Sequence, residues 1–548
     1  MDNTTSTPRR SARRPGLPLA ALIGVVAVGL ALGVAELLAA LGGWFGWWGV
    51  STSPVVSLGS TFISLTPEWL KEFAIRTFGQ HDKDALLAGM GITFLLIATI
   101  VGVIGRSRPR WAAGILAAGV IAAAIAVLLR PATGIVDVLP TVLGGAAGIA
   151  FLVSALRRAL NCPLPNATHP GADPAERSTP ADGLAGSPRS AITPQSNRRG
   201  FVRLIGLGAL AAATAGALSR WIPSTEQVTA SRAGIVLPTA ADLQPAPTVD
   251  LKTPGLTPFL TTNADFYRVD TAFAVPRITA QDWRLRVHGM VSHPFEIDFA
   301  ELTAMTLVQR TITLSCVSNE VGGNLNGTAT WVGARMADIL GRARPQPGAD
   351  CVLSTSVDSF TVSTPLAALT DGRDALLAVG MNGDPLPLEH GFPVRMVVPG
   401  LFGYVSATKW VVDLEVTTFS AVNAYWTKRG WSANGPIKTE SRIDIPRGFA
   451  QLKTGPVPIA GVAWAQHRGI TAVHVQIDDG SWLPATLSAP FSIDTWRQWV
   501  YLWNATPGEH TIRCRATDAT GTTQTSAAAP IMPDGATGYD SRVVTVNP

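Results

Sequence analysis

A lone cysteine closes the apolar run Thr311–Cys316 (TITLSC), and its thiol is a candidate metal ligand, although a cysteine so placed is, taken alone, more often a small buried core residue. A thiolate is soft and electron-rich, suits a soft or high-valent metal, and gives up its proton on coordination. At the end of a strand-like run, a rigid backbone can aim that one sulfur. Arg395 offers a planar fork of donors and Lys409 a compact charge, a pair suited to holding a phosphate or similar anion. Arg268 is a permanent cation that would draw an oxyanion substrate if it lies near the metal. The four cysteines (Cys162, Cys316, Cys351, Cys514) are far apart and form no C-x-x-C or C-x-x-C-H. That argues against a disulfide framework, a zinc ribbon and covalent c-type haem. None of the eight histidines falls in a long apolar run, so a transmembrane haem held by two imidazoles has no ligands.

Short alternating segments must position these groups. Trp283–Gly289 (WRLRVHG), Thr311–Cys316 and Val394–Val398 read as strands, Met336–Leu340 as the core of a helix, and the Gly-, Asn- and Pro-rich stretches between them as loops. The mixture from Pro238 to about Ser441 predicts an α+β domain. From about Ile443 the pattern becomes strands and turns: Val457–Ala465, Ile470–Asp478 closed by Asp479-Gly480, His510–Thr517 and Val543–Val546. Residues 442–548 are therefore predicted to form a β-sandwich. Arg468, on a turn, is expected to face water. Trp496 and Trp499 are expected in the core or at an interface.

The chain as a whole is long, apolar and weakly charged: 548 residues, 47% apolar and 15% charged, with a mean hydropathy of +0.25. That composition exceeds what a purely soluble protein of this size carries. Up to Arg203 there are 18 basic and 10 acidic residues, leaving 25 and 28 for the remainder, so the basicity belongs to the first part and nucleic-acid binding is not indicated. Leu17–Leu41, Ala85–Gly105, Trp111–Leu129 and Ile135–Leu156 approach or exceed the ~20 apolar residues that cross a bilayer. Phe201–Trp221 is a fifth candidate, and Gly42–Thr66, with Pro54 inside it, reads as an external loop or re-entrant piece. Residues 1–160 are thus predicted to be about four transmembrane helices and 161–199 a flexible Pro/Ser/Gly-rich linker. Residues 200–222 are predicted to form an anchor helix that, after Arg198-Arg199-Gly-Phe-Val, resembles a twin-arginine export signal. Arginine clusters at Arg9–Arg14, Arg106–Arg110 and Arg157–Arg158 all lie inside if five segments span, which places everything after Trp221 outside.

Three ordered blocks carry a family resemblance. Thr313-Leu-Ser-Cys316-Val-Ser-Asn319, with Gly322-Gly-Asn and Ala329-Thr-Trp331-Val-Gly333 behind it, resembles the molybdenum-ligand loop of the sulfite oxidase family. Met381-Asn-Gly-Asp-Pro-Leu-Pro-Leu-Glu-His390-Gly-Phe-Pro-Val-Arg395, then Val398-Pro-Gly400 and Lys409-Trp410, is similar to that family's pterin-binding stretch. Asn263-Ala-Asp-Phe-Tyr267-Arg268 resembles the loop that leads into the first strand. The resemblance implies a molybdenum–molybdopterin cofactor, with Cys316 the single protein ligand to the metal beside two pterin sulfurs. It implies pterin contacts from Asn263, Tyr267, Arg268, Asn319, His390, Arg395 and Lys409, and roles in catalysis for Cys316 and Arg268. It further implies an immunoglobulin-like dimerisation domain at 442–548 and hence a homodimer.

This chain also departs from the family pattern. Asp270 stands where those enzymes carry a histidine, and Glu320-Val321 where they carry paired arginines, so a sulfite dianion is not assured. The expected protein has an N-terminal α-helical transmembrane bundle, an α+β molybdopterin domain over 238–441 and the C-terminal sandwich. It is expected in a bacterial membrane, with the catalytic domains outside. The expected activity is oxo transfer with two-electron chemistry on a small oxyanion or oxo donor. Membrane lipid and a separate electron carrier are the expected partners, and no nucleic acid. The alternative is a membrane-tethered binding or sensory protein with a metal-free version of the fold; a transporter is disfavoured by scarce intramembrane charge.

Overall fold

The computed structural model describes residues 15–45, 52–66, 82–130, 133–161, 195–221, 224–244, 248–272 and 274–548. They divide into two compact units, one built on the N-terminal helices to Pro223 and one taking in Ser224–Pro548. Cys162 and most of the expected linker lie outside the described residues.

In the first unit the helices are α1 (Leu17–Phe45), α2 (Pro54–Leu65), α3 (Asp82–Gly105), α4 (Pro109–Leu128), α5 (Leu139–Asn161) and α6 (Gln195–Trp221). Four segments are long and apolar enough to cross a membrane: Leu17–Gly42, Ala85–Gly105, Pro109–Leu128 and Ile135–Ala159. In α6 only the shorter stretch Val202–Leu218 is apolar. The Gly42–Thr66 region is not simply a loop, because α2 occupies it; 12 residues span only ~18 Å and do not cross. Glu36 of α1 accepts from Ser53 Oγ and from the Val55 backbone N–H at 3.0 Å, so a carboxylate from one helix caps the start of the next. Small residues let the helices touch: a Cβ at Gly24 or Gly102 would collide with the backbone of the other's helix, and one at Gly148 with Ala27.

The second unit begins earlier than position 238. Helix α7 (Ser224–Ala233) is anchored by Arg232, whose guanidinium donates to Leu386 O at 2.8 Å and Pro385 O at 2.7 Å. Its polar sequence carries no apolar stripe to announce it.

One mixed and one antiparallel sheet then build the α+β part. One runs β2 (Phe295–Asp298)-β1 (Arg284–Gly289)-β10 (Val411–Thr417)-β5 (Cys351–Ser356)-β6 (Thr361–Pro365), with β1 parallel to β10. The other runs β3 (Leu307–Ser315)-β4 (Asn326–Arg335)-β7 (Leu376–Met381)-β8 (Asp384–Pro385), with β9 (Arg395–Val397) pairing β7. The predicted strands and the helix at Met336–Ala343 are all present. Alternation works as expected in β1, where Leu285 and Val287 are buried and Arg284 and Arg286 face out.

The C-terminal segment forms two facing sheets, β11 (Glu440–Ile445)-β13 (Gly455–Trp464)-β17 (Arg497–Ala505)-β16 (Thr486–Leu487) and β12 (Gln451–Lys453)-β19 (Ser541–Asn547)-β18 (Gly508–Asp518)-β14 (Ile470–Ile477)-β15 (Leu483–Pro484). Their shared core holds Ile459, Val473, Val475, Trp499, Ile512 and Cys514. The hairpin expected at Asp479-Gly480 joins β14 (Ile470–Ile477) to β15 (Leu483–Pro484). The chain does not separate at 441/442, however, because side chains from the sandwich complete the α+β core. Trp496 is 1% exposed and donates from Nε1 to Phe259 O at 2.9 Å. Truncating so large a buried group costs about 3–5 kcal/mol. Trp496→Ala is expected to destabilise Ser224–Pro548 as a whole, seen by calorimetry as one transition moving down; two separable transitions would contradict the shared core.

Candidate molybdopterin site

Strand β3 delivers Cys316 one residue past its end. The loop that follows is tied to itself: Cys316 N–H donates to Leu325 O at 2.9 Å, Asn319 N–H to Cys316 O at 3.1 Å, and Leu325 N–H to Asn319 Oδ1 at 2.8 Å. A Cβ at Gly323 would lie 2.7 Å from Asn319 Oδ1, so the turn requires a glycine. The sandwich grips both flanks of this loop. Gln466 Nε2 donates to Thr313 O and Ser315 Oγ at 3.1 Å, and Arg442 Nη1 to Gly323 O at 2.8 Å and Asn326 Oδ1 at 2.9 Å. The thiol is buried, and burial pushes its pKa up. It is therefore a poor free nucleophile, and coordination to a metal is the route by which it would lose its proton.

Against this loop stands Asn263–Arg268. Phe266 stacks on Tyr267 at 5.1 Å and meets Trp331 at 5.7 Å and His390 at 5.6 Å edge to face. A Cβ at Gly327 would lie 2.9 Å from the Phe266 ring, which explains the glycine opposite it. The Tyr267 phenol stays protonated: burial raises its pKa, the nearby Cys316 adds to that, and Arg395 opposes it. The backbone oxygen of Asn263 accepts from His390 Nε2 at 3.0 Å, which fixes the donor nitrogen and leaves Nδ1 as an acceptor. Asn263 Oδ1 accepts from Asn382 Nδ2 at 2.9 Å. Sequence reasoning missed Asn382; its signal was the Asn-Gly turn after Met381.

The pterin-stretch residues meet here as expected. Arg395 and Lys409 face each other across a β-bridge, and a Cβ at Gly391 would press on both, 3.0 Å and 3.2 Å from their Cβ atoms. Arg395 is 5% exposed, donates from Nη1 to His390 O at 3.1 Å and lies 5.0 Å over the Trp331 ring. Among the described residues it has no carboxylate within ion-pair distance, and burial pulls its pKa down to about 10. Lys409 Nζ donates to Asp270 Oδ2 at 2.8 Å and Glu389 O at 3.0 Å; burial draws its pKa down to about 8 although Asp270 pulls the other way.

Arg268 is the more exposed member of this group and shares Asp270 with Lys409. Its side chain is 42% exposed, and Nε donates to Asp270 Oδ2 at 3.0 Å. Arg468 does not simply face water: it donates to Asp518 Oδ2 and Ile437 O at 2.9 Å inside the C-terminal part.

His390 is 3% exposed, and burial, followed by the Arg395 charge, pulls its pKa from 6.5 down to about 4. The neutral ring is favoured in the folded state, so its contribution to stability is present above pH 6.5 and is lost as pH falls through about 4. At ~1.4 kcal/mol for each tenfold change in proton affinity this is at most on the order of 3 kcal/mol. Cofactor-free His390→Asn protein is expected to show a flatter melting temperature between pH 6.5 and 4 than wild type; parallel curves would contradict this.

Residues 272–426 match the family described as oxidoreductase molybdopterin binding domain. The chain is 30% identical over 335 residues to the mitochondrial sulfite oxidase of Mus musculus, covering 52% of this chain and 60% of that one. It is 29% identical over 322 residues to the mitochondrial sulfite oxidase of Homo sapiens, covering 50% and 58%. It therefore spans about three-fifths of the length of these relatives. Nitrate reductase [NADH] 1 of Oryza sativa subsp. japonica is 32% identical over 194 residues, 30% of this chain and 21% of that one. Among solved structures, the sulfane dehydrogenase SoxCD of Paracoccus pantotrophus aligns over 53% of this chain and 84% of its own with a TM-score of 0.47 and 22% identity.

These relatives imply a molybdenum–molybdopterin cofactor, and the residues present fit it. Arg395 is a buried guanidinium lacking an anionic partner among the described residues, which an anionic group such as a phosphate would supply. Asn319 Nδ2 is a buried donor with no acceptor among the described residues, and Cys316 is a thiol on a loop held from both sides. By sequence match and by the donor set gathered around Cys316, residues 272–426 form an oxidoreductase molybdopterin-binding domain, in a chain similar to the sulfite oxidases.

Proposed function

We propose that this chain is a membrane-anchored molybdenum–pterin oxidoreductase that moves an oxygen atom and two electrons to or from a small substrate, sulfite-like or a sulfoxide or N-oxide, on the outer face of a bacterial membrane. The bound cofactor supplies the oxo-transfer and redox chemistry. The protein's part is to ligate, position and control charge. Cys316 holds the metal. Arg395 and Lys409 bind the anionic end of the pterin, with His390 neutral beside them and Asn263, Tyr267, Asn319 and Arg268 completing the wall.

The observation that carries this reading is the buried Arg395 without a counter-charge among the described residues, in the same cluster as the thiol of Cys316. Four long apolar helices support membrane anchoring, and the arginine clusters support the outer-face placement. Electrons then pass to or from a separate carrier, since the chain's cysteine and histidine spacing offers no haem or iron–sulfur site. A homodimer through the C-terminal sandwich, read as immunoglobulin-like, belongs to the same proposal.

Metal analysis tests it. Full-length protein purified from molybdate-replete, pterin-competent cells should contain near-stoichiometric molybdenum and turn over an oxo donor or acceptor. Protein lacking molybdenum under those conditions would favour the metal-free binding protein.

A further inference from the structure

Cys316 is held in place from outside its own sheet. Arg442, on β11, is buried and commits its guanidinium to three separate segments: Nε donates to Asp444 Oδ1 at 2.7 Å, Nη1 to Gly323 O at 2.8 Å and Asn326 Oδ1 at 2.9 Å, and Nη2 to Thr257 Oγ1 at 3.1 Å. The residue after it bears on the same loop, because Asp540 Oδ2 accepts from Ile443 N–H at 2.8 Å while a Cβ on Gly322 would lie 2.5 Å from Asp540 Oδ1. One sheet of the sandwich also holds the strand that enters the loop. Gln466, just past β13, donates to Thr313 O and Ser315 Oγ, and Trp496, just before β17, donates its backbone N–H to Thr313 Oγ1 at 2.9 Å.

What that grip fixes lies at the other end of the loop. Asn319 N–H closes a turn onto Cys316 O at 3.1 Å, Leu325 N–H ties down Asn319 Oδ1 at 2.8 Å, and Cys316 N–H returns to Leu325 O at 2.9 Å, so the turn moves only with the 323–326 segment. Inside the turn, Ser318 directs both its backbone N–H and its hydroxyl at the Cys316 sulfur. Donors on a metal-bound sulfur draw off electron density and weaken what it gives the metal, which favours the reduced state. An arginine suits the outer post, because its planar fork meets several acceptors at once; a lysine ammonium is a single compact charge and lacks that shape.

We propose that Arg442 is a positioning residue for the metal ligand: through Gly323 and Asn326 it holds the loop in the shape that keeps the Ser318 donors on the Cys316 sulfur, and so sets the reduction potential of the bound metal from the C-terminal sandwich. This rests on the reading of Cys316 as the molybdenum ligand and adds to the sandwich a role in the chemistry of the site.

The test is a redox titration of full-length protein in detergent, followed through the Mo(V) electron paramagnetic resonance signal, which reports only molecules that hold the metal. Ser318→Ala is expected to lower the midpoint by the equivalent of at least about fivefold in the one-electron equilibrium, because a donor to the sulfur is lost. Arg442→Lys is expected to lower it in the same direction and to change the Mo(V) spectrum. The double variant should shift no further than the larger single shift, since both changes act on the same bonds. Where Arg442→Lys does not fold, Asn326→Ala removes one of its loop contacts from the other end and takes its place. A melting temperature that falls in Arg442→Lys while midpoint and spectrum stay at their wild-type values, an unchanged midpoint in Ser318→Ala, or additive shifts in the double variant would overturn the inference and leave the ligand reading standing. A Cys316→Ser protein that keeps its full count of sulfur neighbours at molybdenum would overturn the ligand reading, and the inference with it.

Discussion

Cys316→Ser protein will fold, keep its melting temperature to within a few degrees, and lose turnover. The sulfur accepts from the Ser318 backbone N–H and hydroxyl, bonds that a serine oxygen can also accept, and the loop is held by backbone bonds to Leu325 and Asn319 and by Arg442 and Gln466. Exchanging sulfur for oxygen at a buried position of nearly equal shape costs about 1 kcal/mol or less. A ligand atom touching the metal matters more than an outer partner, for which the loss is about 10–100-fold, so turnover is expected to fall by more than that. Steady-state turnover beside a thermal melt checks both halves. Unchanged turnover would remove the metal-ligand assignment, and a collapsed melt would mean that the thiol is a core residue.

The second large effect is expected at Arg395. A guanidinium 5% exposed and without a carboxylate is a cost to the empty protein, because desolvation goes uncompensated. Arg395→Met fills similar volume without the charge. It should make the cofactor-free protein more stable by about 1–4 kcal/mol, the gain seen when buried ionic groups give way to apolar ones. The same variant should retain cofactor at least about tenfold more weakly, since each charge-assisted hydrogen bond is worth about 1.5–3 kcal/mol. Pterin and molybdenum content after purification, set beside denaturant unfolding of the cofactor-free form, reads the two together. A structural arginine would give the opposite result, with stability falling and cofactor content following it down.

What could be read along the chain was local. TITLSC ends in a ligand because strand alternation and the following Gly-rich turn are written in consecutive residues, and His390, Arg395 and Lys409 fall in one stretch. The Asp270–Lys409 pair was not visible as a contact, because 139 residues separate the two; Asp270 stood out only as a departure from a pattern. Helix Ser224–Ala233 was missed because a polar helix held by Arg232 on two carbonyls has no apolar periodicity to reveal it. The boundary at 441/442 fits the strand pattern but not the packing. No spacing rule says that Trp496 will reach back to Phe259, or that Arg442 and Gln466 will clamp a loop more than a hundred residues away.

The central claim is a bond between Cys316 and molybdenum, and X-ray absorption at the molybdenum K edge measures it directly on full-length protein. Wild type should show one more sulfur neighbour than Cys316→Ser at matched metal content. Spectra with the same sulfur count in both proteins, each with its cofactor retained, would contradict the account.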